Sequence, residues 1–209
     1  MADLKLVPVP TRILTNKDNI VDAIMEYAGH DITNHDIVCV AESVVAITQG
    51  RYIRPEELHI CWQARLMNRF VPGAGSMASI YGMQAAMEEE GKWNMLFSFI
   101  IGAVAKIFGK AGVFYARCRQ ASLIDDVTGT MPPFDKCLVY GPADTDRVCE
   151  EIKNATGAYG AVIEDANDLK SKCINPGQIA KILIDNPFGN DNQKTPIVII
   201  KNFTDHINR

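Results

Sequence analysis

The chain of 209 residues is 47% hydrophobic and 22% charged with a formal net charge of -4, the make-up of a globular protein able to bury a substantial core. Its negative charge and scattered Lys and Arg residues argue against a general nucleic-acid binder, since phosphate neutralisation needs a concentrated basic surface. The start, Met1-Ala2-Asp3-Leu4-Lys5, lacks the basic flank and apolar core of a secretion signal.

The most apolar run, Met95 to Phe108, is too short to span a bilayer and is interrupted by Gly102 and Lys106. It is expected as a buried helix, and no membrane partner is expected. Six cysteines, at 39, 61, 118, 137, 149 and 173, are widely spaced with no C-x-x-C pair. They suit reduced thiols in a cytoplasmic protein and not a zinc site or a disulfide frame.

In chain order, Leu4 to Leu14 is expected as a strand, at a sheet edge because Pro8 and Pro10 remove ladder donors. Asn16 is the expected cap of a helix with Ile20, Val21, Ile24, Met25 and Ala28 on its apolar side, ending at Gly29. Asp36 to Ala41 reads as a buried strand. Glu42-Ser43 then opens a short apolar helical turn that closes at Gly50-Arg51, a connection that could present N–H groups to an anion. A helix is expected over Pro55 to Phe70. After the break Pro72-Gly73-Ala74-Gly75, Ser76 caps another that runs through Glu90 to Gly91.

Gly112 to Cys118 reads as a strand, as does Lys136 to Tyr140. Asp144 or Thr145 caps a helix bearing Val148, Ile152 and Ala155 that stops at Gly157. The strand Gly160 to Glu164 follows, then a helix opened by Asn175-Pro176, and last the apolar strand Pro196 to Ile200. Strands and helices mix without a regular β-α-β rhythm, so the class is α+β, or mixed α/β, in one domain over 1–209.

Chemistry concentrates at Gly160-Ala161-Val162-Ile163-Glu164-Asp165-Ala166-Asn167-Asp168, an apolar strand that ends in carboxylates. Alternation puts Ala161, Ile163 and Asp165 on one face and Val162 and Glu164 on the other. Leu123-Ile124-Asp125-Asp126 ends in the same way. If the two strand ends converge, carboxylates about 4 Å apart repel by roughly 4 kcal/mol at an effective dielectric near 20. Such a site holds a divalent cation or shares a proton; Mg or Mn suits all-oxygen ligands. If they do not converge, both ends are solvated turns. His30, His35, His59 and His206 show no metal-ligand spacing, and no Ser or Cys sits in a nucleophile elbow.

Several segments in order resemble the coenzyme F-420 gamma-glutamyl ligase family. They are Asp36 to Val45 with Gly50-Arg51, then Ile124-Asp125 with Pro132-Pro133 and the helix ending at Thr156-Gly157. Ala161 to Asn167 and Pro196 to Ile200 complete the set. The resemblance implies a gamma-glutamyl-ligase-like fold and GTP-dependent addition of L-glutamate to a deazaflavin cofactor precursor or a related acceptor. It implies divalent metal ligands at Asp125 and Asp165. It places Ser43, Gly50, Arg51 and Asn167 near nucleotide or substrate. Its partners are then a small-molecule substrate and a nucleotide, in a homodimer. The chain departs from the family pattern at Ile47, where a Lys is usual, and after Asn167, where Asp168 replaces a Gly. A relative that keeps the fold but binds without catalysis is the alternative.

Overall fold

The computed structural model describes residues 4–71, 76–124, 132–165, 168–170, 179 and 194–207. Contacts divide the chain into two compact units, residues 1–50 with 142–209, and residues 51–141. Both carry helices and short sheets, the α+β class expected from the unordered mixture of elements.

The first unit is built on a five-stranded sheet. Its strands are β1 (Lys5–Val9), β2 (Ile37–Ala41), β5 (Gly160–Asp165), β6 (Asp168–Lys170) and β7 (Ile197–Lys201), in the order β1-β7-β2-β5-β6. β2 runs parallel to β5, with Ile37 opposite Gly160 and Ala41 opposite Glu164; the other pairings are antiparallel. β1 lies at the edge, as its proline requires, with Pro8 opposite Val198. It ends at Val9, ahead of Pro10, and so is shorter than the run to Leu14.

Period-two alternation sorts the central strands between two cores. Val38, Val40, Ala161, Ile163, Ile197 and Ile199 pack with helix α1 (Ile20–Ala28) and helix α7 (Thr145–Thr156). Ile37, Cys39, Val162, Val198 and Ile200 face the other way with Ile179 and with Phe203 of α8 (Phe203–Ile207). Burial on both faces explains why β2, β5 and β7 read as unbroken apolar runs. Each buried Ile or Val contributes about 1.5–3 kcal/mol.

The cap of α1 lies three residues beyond Asn16. It is Asn19, its Oδ1 accepting from the backbone N–H groups of Val21 and Asp22. The intervening residues form a turn around Asp18, which accepts from Thr15 N at 2.7 Å and pairs with Arg12 at 2.6 Å. The Arg12 hydrogen bond, helped by Thr15, holds the Asp18 carboxyl below the usual range.

Another carboxylate, this one fully buried, closes the far end of the sheet. Asp36 precedes β2 and accepts from Thr33 N and Oγ1 at 2.8 and 2.9 Å, from Lys201 Nζ at 2.8 Å and from Asn202 N at 2.9 Å. Its carbonyl accepts from Tyr159 N. One residue thus joins the beginnings of β2 and β5 to the end of β7.

The second unit holds α3 (Trp62–Asn68), α4 (Ile80–Glu90), α5 (Lys92–Ile107) and α6 (Val113–Arg117), with a two-stranded ribbon of β3 (Tyr52–Ile53) and β4 (Leu138–Val139). Three expectations fail here. The span Pro55 to Phe70 is a 3-10 turn at Pro55–Glu57 followed by α3, not one helix. Ser79, not Ser76, caps α4, its Oγ accepting from Tyr81 N and Gly82 N. Gly112 to Cys118 is helical over Val113–Arg117 because Phe114 seats against Gly102 of α5, where a Cβ would come within 3.0 Å of the Phe114 Cβ. Tertiary packing outweighs the β propensity of Val, Phe and Tyr.

A fourth expectation fails in burial and not in secondary structure. α5 is a helix, but of its residues only Met95 and Ser98 are fully buried, while Trp93, Phe97, Ile100 and Ile107 are exposed. The helix beginning at Asn175-Pro176 lies outside the described residues, except for buried Ile179.

Burial alone would raise the Asp36 carboxyl, but Lys201, Asn202 N and Thr33 together hold it below the ordinary aspartate value. A folded-state value below the unfolded one stabilises the protein above about pH 4, and that stability is lost as the pH falls through the folded value. Asp36→Asn is therefore expected to cost about 3 kcal/mol at pH 7, the scale for breaking a buried ion pair, and to flatten the acid limb of stability. Urea melts from pH 3 to 7 measure both, and an unchanged midpoint at pH 7 would refute this role.

Candidate functional site

In the first unit the polar end of the sheet is where the parallel strands β2 and β5 finish side by side. Parallel pairing aligns their C-terminal ends, the position at which open α/β sheets place ligands. Ala41 stands opposite Glu164. One strand passes directly into Glu42 and Ser43 of α2 (Glu42–Thr48), and the other into Asp165.

Glu42 is buried and Ser43 half-buried. Glu164 is half-buried on the Cys39 side of the sheet. Burial pushes the Cys39 thiol well up, and the negative field of Glu164 pushes it further. A thiol held in that form is a core group and not a nucleophile.

Asp165 is described at its backbone, where it pairs with Asp168 across a connection of two residues. The acidic strand end is thus the tip of the β5–β6 hairpin and not an open turn. Asp125 and Asn167 lie outside the described residues, as does the carboxylate of Asp165. Among the described residues, no group of three or more His, Cys, Asp and Glu could hold a metal ion.

Gly50 adopts φ 72°, the left-handed turn that lets the chain leave α2 sharply. Its N–H donates to the Ile47 carbonyl at 2.9 Å. Ile47, at the place where a Lys is usual in the resembling family, is buried in the core and presents no charge. Beside Gly50, the Gln49 amide donates to the Ala143 carbonyl at 3.0 Å and accepts from Ala143 N at 2.8 Å. This clasp joins the two points where the chain leaves and re-enters the first unit. No sequence motif singles out Gln49; the only hint is a polar residue closing an apolar turn.

In the second unit, Arg51 donates from Nε to the Gly141 carbonyl at 2.7 Å and pairs with Glu89. Its guanidinium lies 5.8 Å from the Tyr140 ring centroid. Burial, followed by Glu88 and Glu89, pushes the Tyr140 phenol up to about 12, with Arg51 opposing. Arg51 therefore has three partners inside its own unit. A small open depression lined by Met77, Tyr115, Ala121 and Ser122 offers hydroxyl groups but no carboxylate or cation.

Gly50→Ala is expected to cost about 1 kcal/mol, because the left-handed backbone disfavours any Cβ while the nearest side-chain atom, Asn16 Cβ, is a comfortable 3.8 Å away. The loss should appear as a lower urea midpoint at unchanged slope. A stability equal to that of the parent protein would exclude a strained turn.

No curated protein matches the chain. The family model for F420-0:gamma-glutamyl ligase matches residues 8–180, a span that takes in all of the second unit and, of the first, α2 with its Gly50 turn and the β5–β6 hairpin. By that match over most of its length, the chain belongs to the F420-0:gamma-glutamyl ligase family.

Proposed function

We propose that the protein is a GTP- and divalent-metal-dependent ligase that joins L-glutamate to a deazaflavin cofactor precursor or a related acceptor, acting as a cytoplasmic homodimer. The family match over residues 8–180 supports the ligase function and carries the reading. The aligned ends of β2 and β5 support its location, because they bring Ser43 and Asp165 to the same end of one sheet.

In this reaction the γ-phosphoryl group of GTP passes to an acceptor carboxylate oxygen and GDP leaves. The amine of glutamate then attacks the activated carbonyl carbon. A C–N bond forms, the C–O bond to phosphate breaks, and the amine proton goes to solvent. Most of the work is positioning and charge stabilisation.

Mg or Mn, held by Asp125 and Asp165, would neutralise phosphate charge and orient the reacting oxygens. Ser43 and Asn167 would donate to nucleotide or substrate. Gly50, without a side chain, would let the ligand come close to the backbone. Arg51, already braced by Glu89 and the Gly141 carbonyl, would present a fixed guanidinium edge and not a mobile one.

Buried Ile47 favours a second reading, a relative that binds the ligand without catalysis. A triphosphate loses one fixed cation there. Thermal melts separate these cases from a protein that binds no nucleotide. At one hundred times Kd, GTP with Mn should add about 2.7 kcal/mol of stability, and release of GDP on addition of glutamate and acceptor marks the ligase. No shift with any nucleotide, in folded protein, would sink both readings. Asp165→Asn should abolish Mn binding, followed by titration calorimetry, with the melting temperature of the metal-free protein retained. Unchanged Mn affinity would remove Asp165 from the metal site.

A further inference from the structure

The second unit carries an apolar face that neither its own core nor the ligase reading uses. On α5, Trp93, Phe97, Ile100, Val104 and Ile107 recur at spacings of four and three, so they form one stripe along the helix. All five are exposed, Trp93 by 60% and Ile107 by 81%, and Phe108 extends the stripe with 78%. Met95, Ser98 and Phe99 occupy the opposite side and pack inward, with Phe99 edge-on to Phe114. The stripe is about 20 Å long at 1.5 Å per residue. Trp62 of α3, 58% exposed, continues it sideways, its ring 6.4 Å from that of Trp93. Soluble monomers rarely leave so large a continuous apolar face in water.

The helices that form this face, α3 and α5, themselves carry only basic charges. Between Leu58 and Ile124 the sequence holds seven Lys and Arg and three acidic residues, Glu88, Glu89 and Glu90. All three acids are engaged within the unit. Glu88 accepts from Gln84, Glu89 pairs with Arg51, and Glu90 accepts from Gln120 N. Arg65, Arg69, Lys92, Lys106 and Lys110 are exposed. Arg65 and Arg69 alternate along α3 and its end with Trp62 and Leu66, while the lysines stand at both ends of α5.

A second copy of the chain finds no opposite charge on this helix, because α5 carries Lys92 and Lys106 and no acid. No helix among the described residues is long and apolar enough to cross a membrane. An apolar helix face bearing tryptophan, on a helix whose own charges are all basic, matches a helix lying in the plane of an anionic bilayer surface. There, aromatic rings settle at the headgroup level and lysine stems reach back to phosphate.

We propose that the face formed by α5 and α3 is a peripheral docking surface for anionic lipid bilayers, with the stripe from Trp93 to Phe108 entering the headgroup boundary and the basic residues meeting lipid phosphates and carboxylates. It does not depend on the ligase chemistry.

Trp62 and Trp93 are the only two tryptophans in the chain, so intrinsic emission reports on this face alone. The full chain should float with vesicles of phosphatidylcholine containing 30% phosphatidylserine, with a blue-shifted emission, at least tenfold more than with phosphatidylcholine alone. Half-molar salt should reduce binding, because exposed charges are screened. Ile100→Asp combined with Ile107→Asp should abolish flotation and the blue shift. Lys106→Glu with Lys110→Glu, which leaves the apolar face intact, should remove the preference for anionic lipid. Both pairs are solvent-facing, so circular dichroism and thermal melts should match the parent protein. Absence of flotation with anionic vesicles overturns the proposal, as does equal binding to neutral ones. So does a blue shift that grows with protein concentration without lipid and disappears in the Ile100/Ile107 variant, which would assign the face to a second copy. A homodimer formed through another surface leaves the emission unchanged.

Discussion

Parallel pairing of β2 with β5 is the constraint on which the first unit rests. A parallel pair cannot be closed by a tight turn, so the chain must travel from one end of the sheet back to the other. Here the excursion contains α2, the whole of the second unit and α7. The same pairing aligns two C-terminal strand ends and thereby creates the polar end at Ser43 and Asp165. It also requires that both faces be covered, which α1 and α7 do on one side and α8 on the other. Asp36 anchors the opposite end, so the pair is held by a buried ion pair at its start and left open where chemistry is expected.

The central strands were legible because burial on both faces leaves a plain apolar run, as in Ile37 to Ala41 and Ile197 to Ile200. The edge position of β1 was legible from Pro8, whose missing donor has only one tolerable location. Helix ends were legible where a glycine in the left-handed region was needed, as at Gly91 and Gly157. The resemblance to the ligase family was carried by the order of segments, and the family match over residues 8–180 agrees with it.

Other features depend on contacts that no local pattern encodes. Asn16 and Asn19 are equally good caps in isolation; the Arg12–Asp18–Thr15 turn between them selects Asn19. The run Val113 to Arg117 has strand composition, and a glycine on the neighbouring helix makes it helical. α5 shows best how hydrophobicity misleads. Apolar residues on nearly every side suggested a buried helix, yet a small helical unit has only one core to offer it. Bulk composition hid the charge pattern as well, since a chain that is acidic overall averages away a basic stretch. Of the candidate site residues, Ser43 and Asp165 fall at one end of one sheet, while Arg51 is held by Glu89 and the Gly141 carbonyl.

The Gln49–Ala143 clasp bears on how such a sheet can form at all. Closing a long excursion costs chain entropy that grows with the logarithm of its length, about 0.6 kcal/mol for each doubling. Here 91 residues, 51–141, separate the two halves of the crossover. The two amide hydrogen bonds of Gln49 bring those halves together at the neck, and Tyr140 N donating to the Arg51 carbonyl does the same one step further out. Because the length of the excursion enters that entropic cost only logarithmically, the excursion could grow or shrink over evolutionary time at little cost to the sheet.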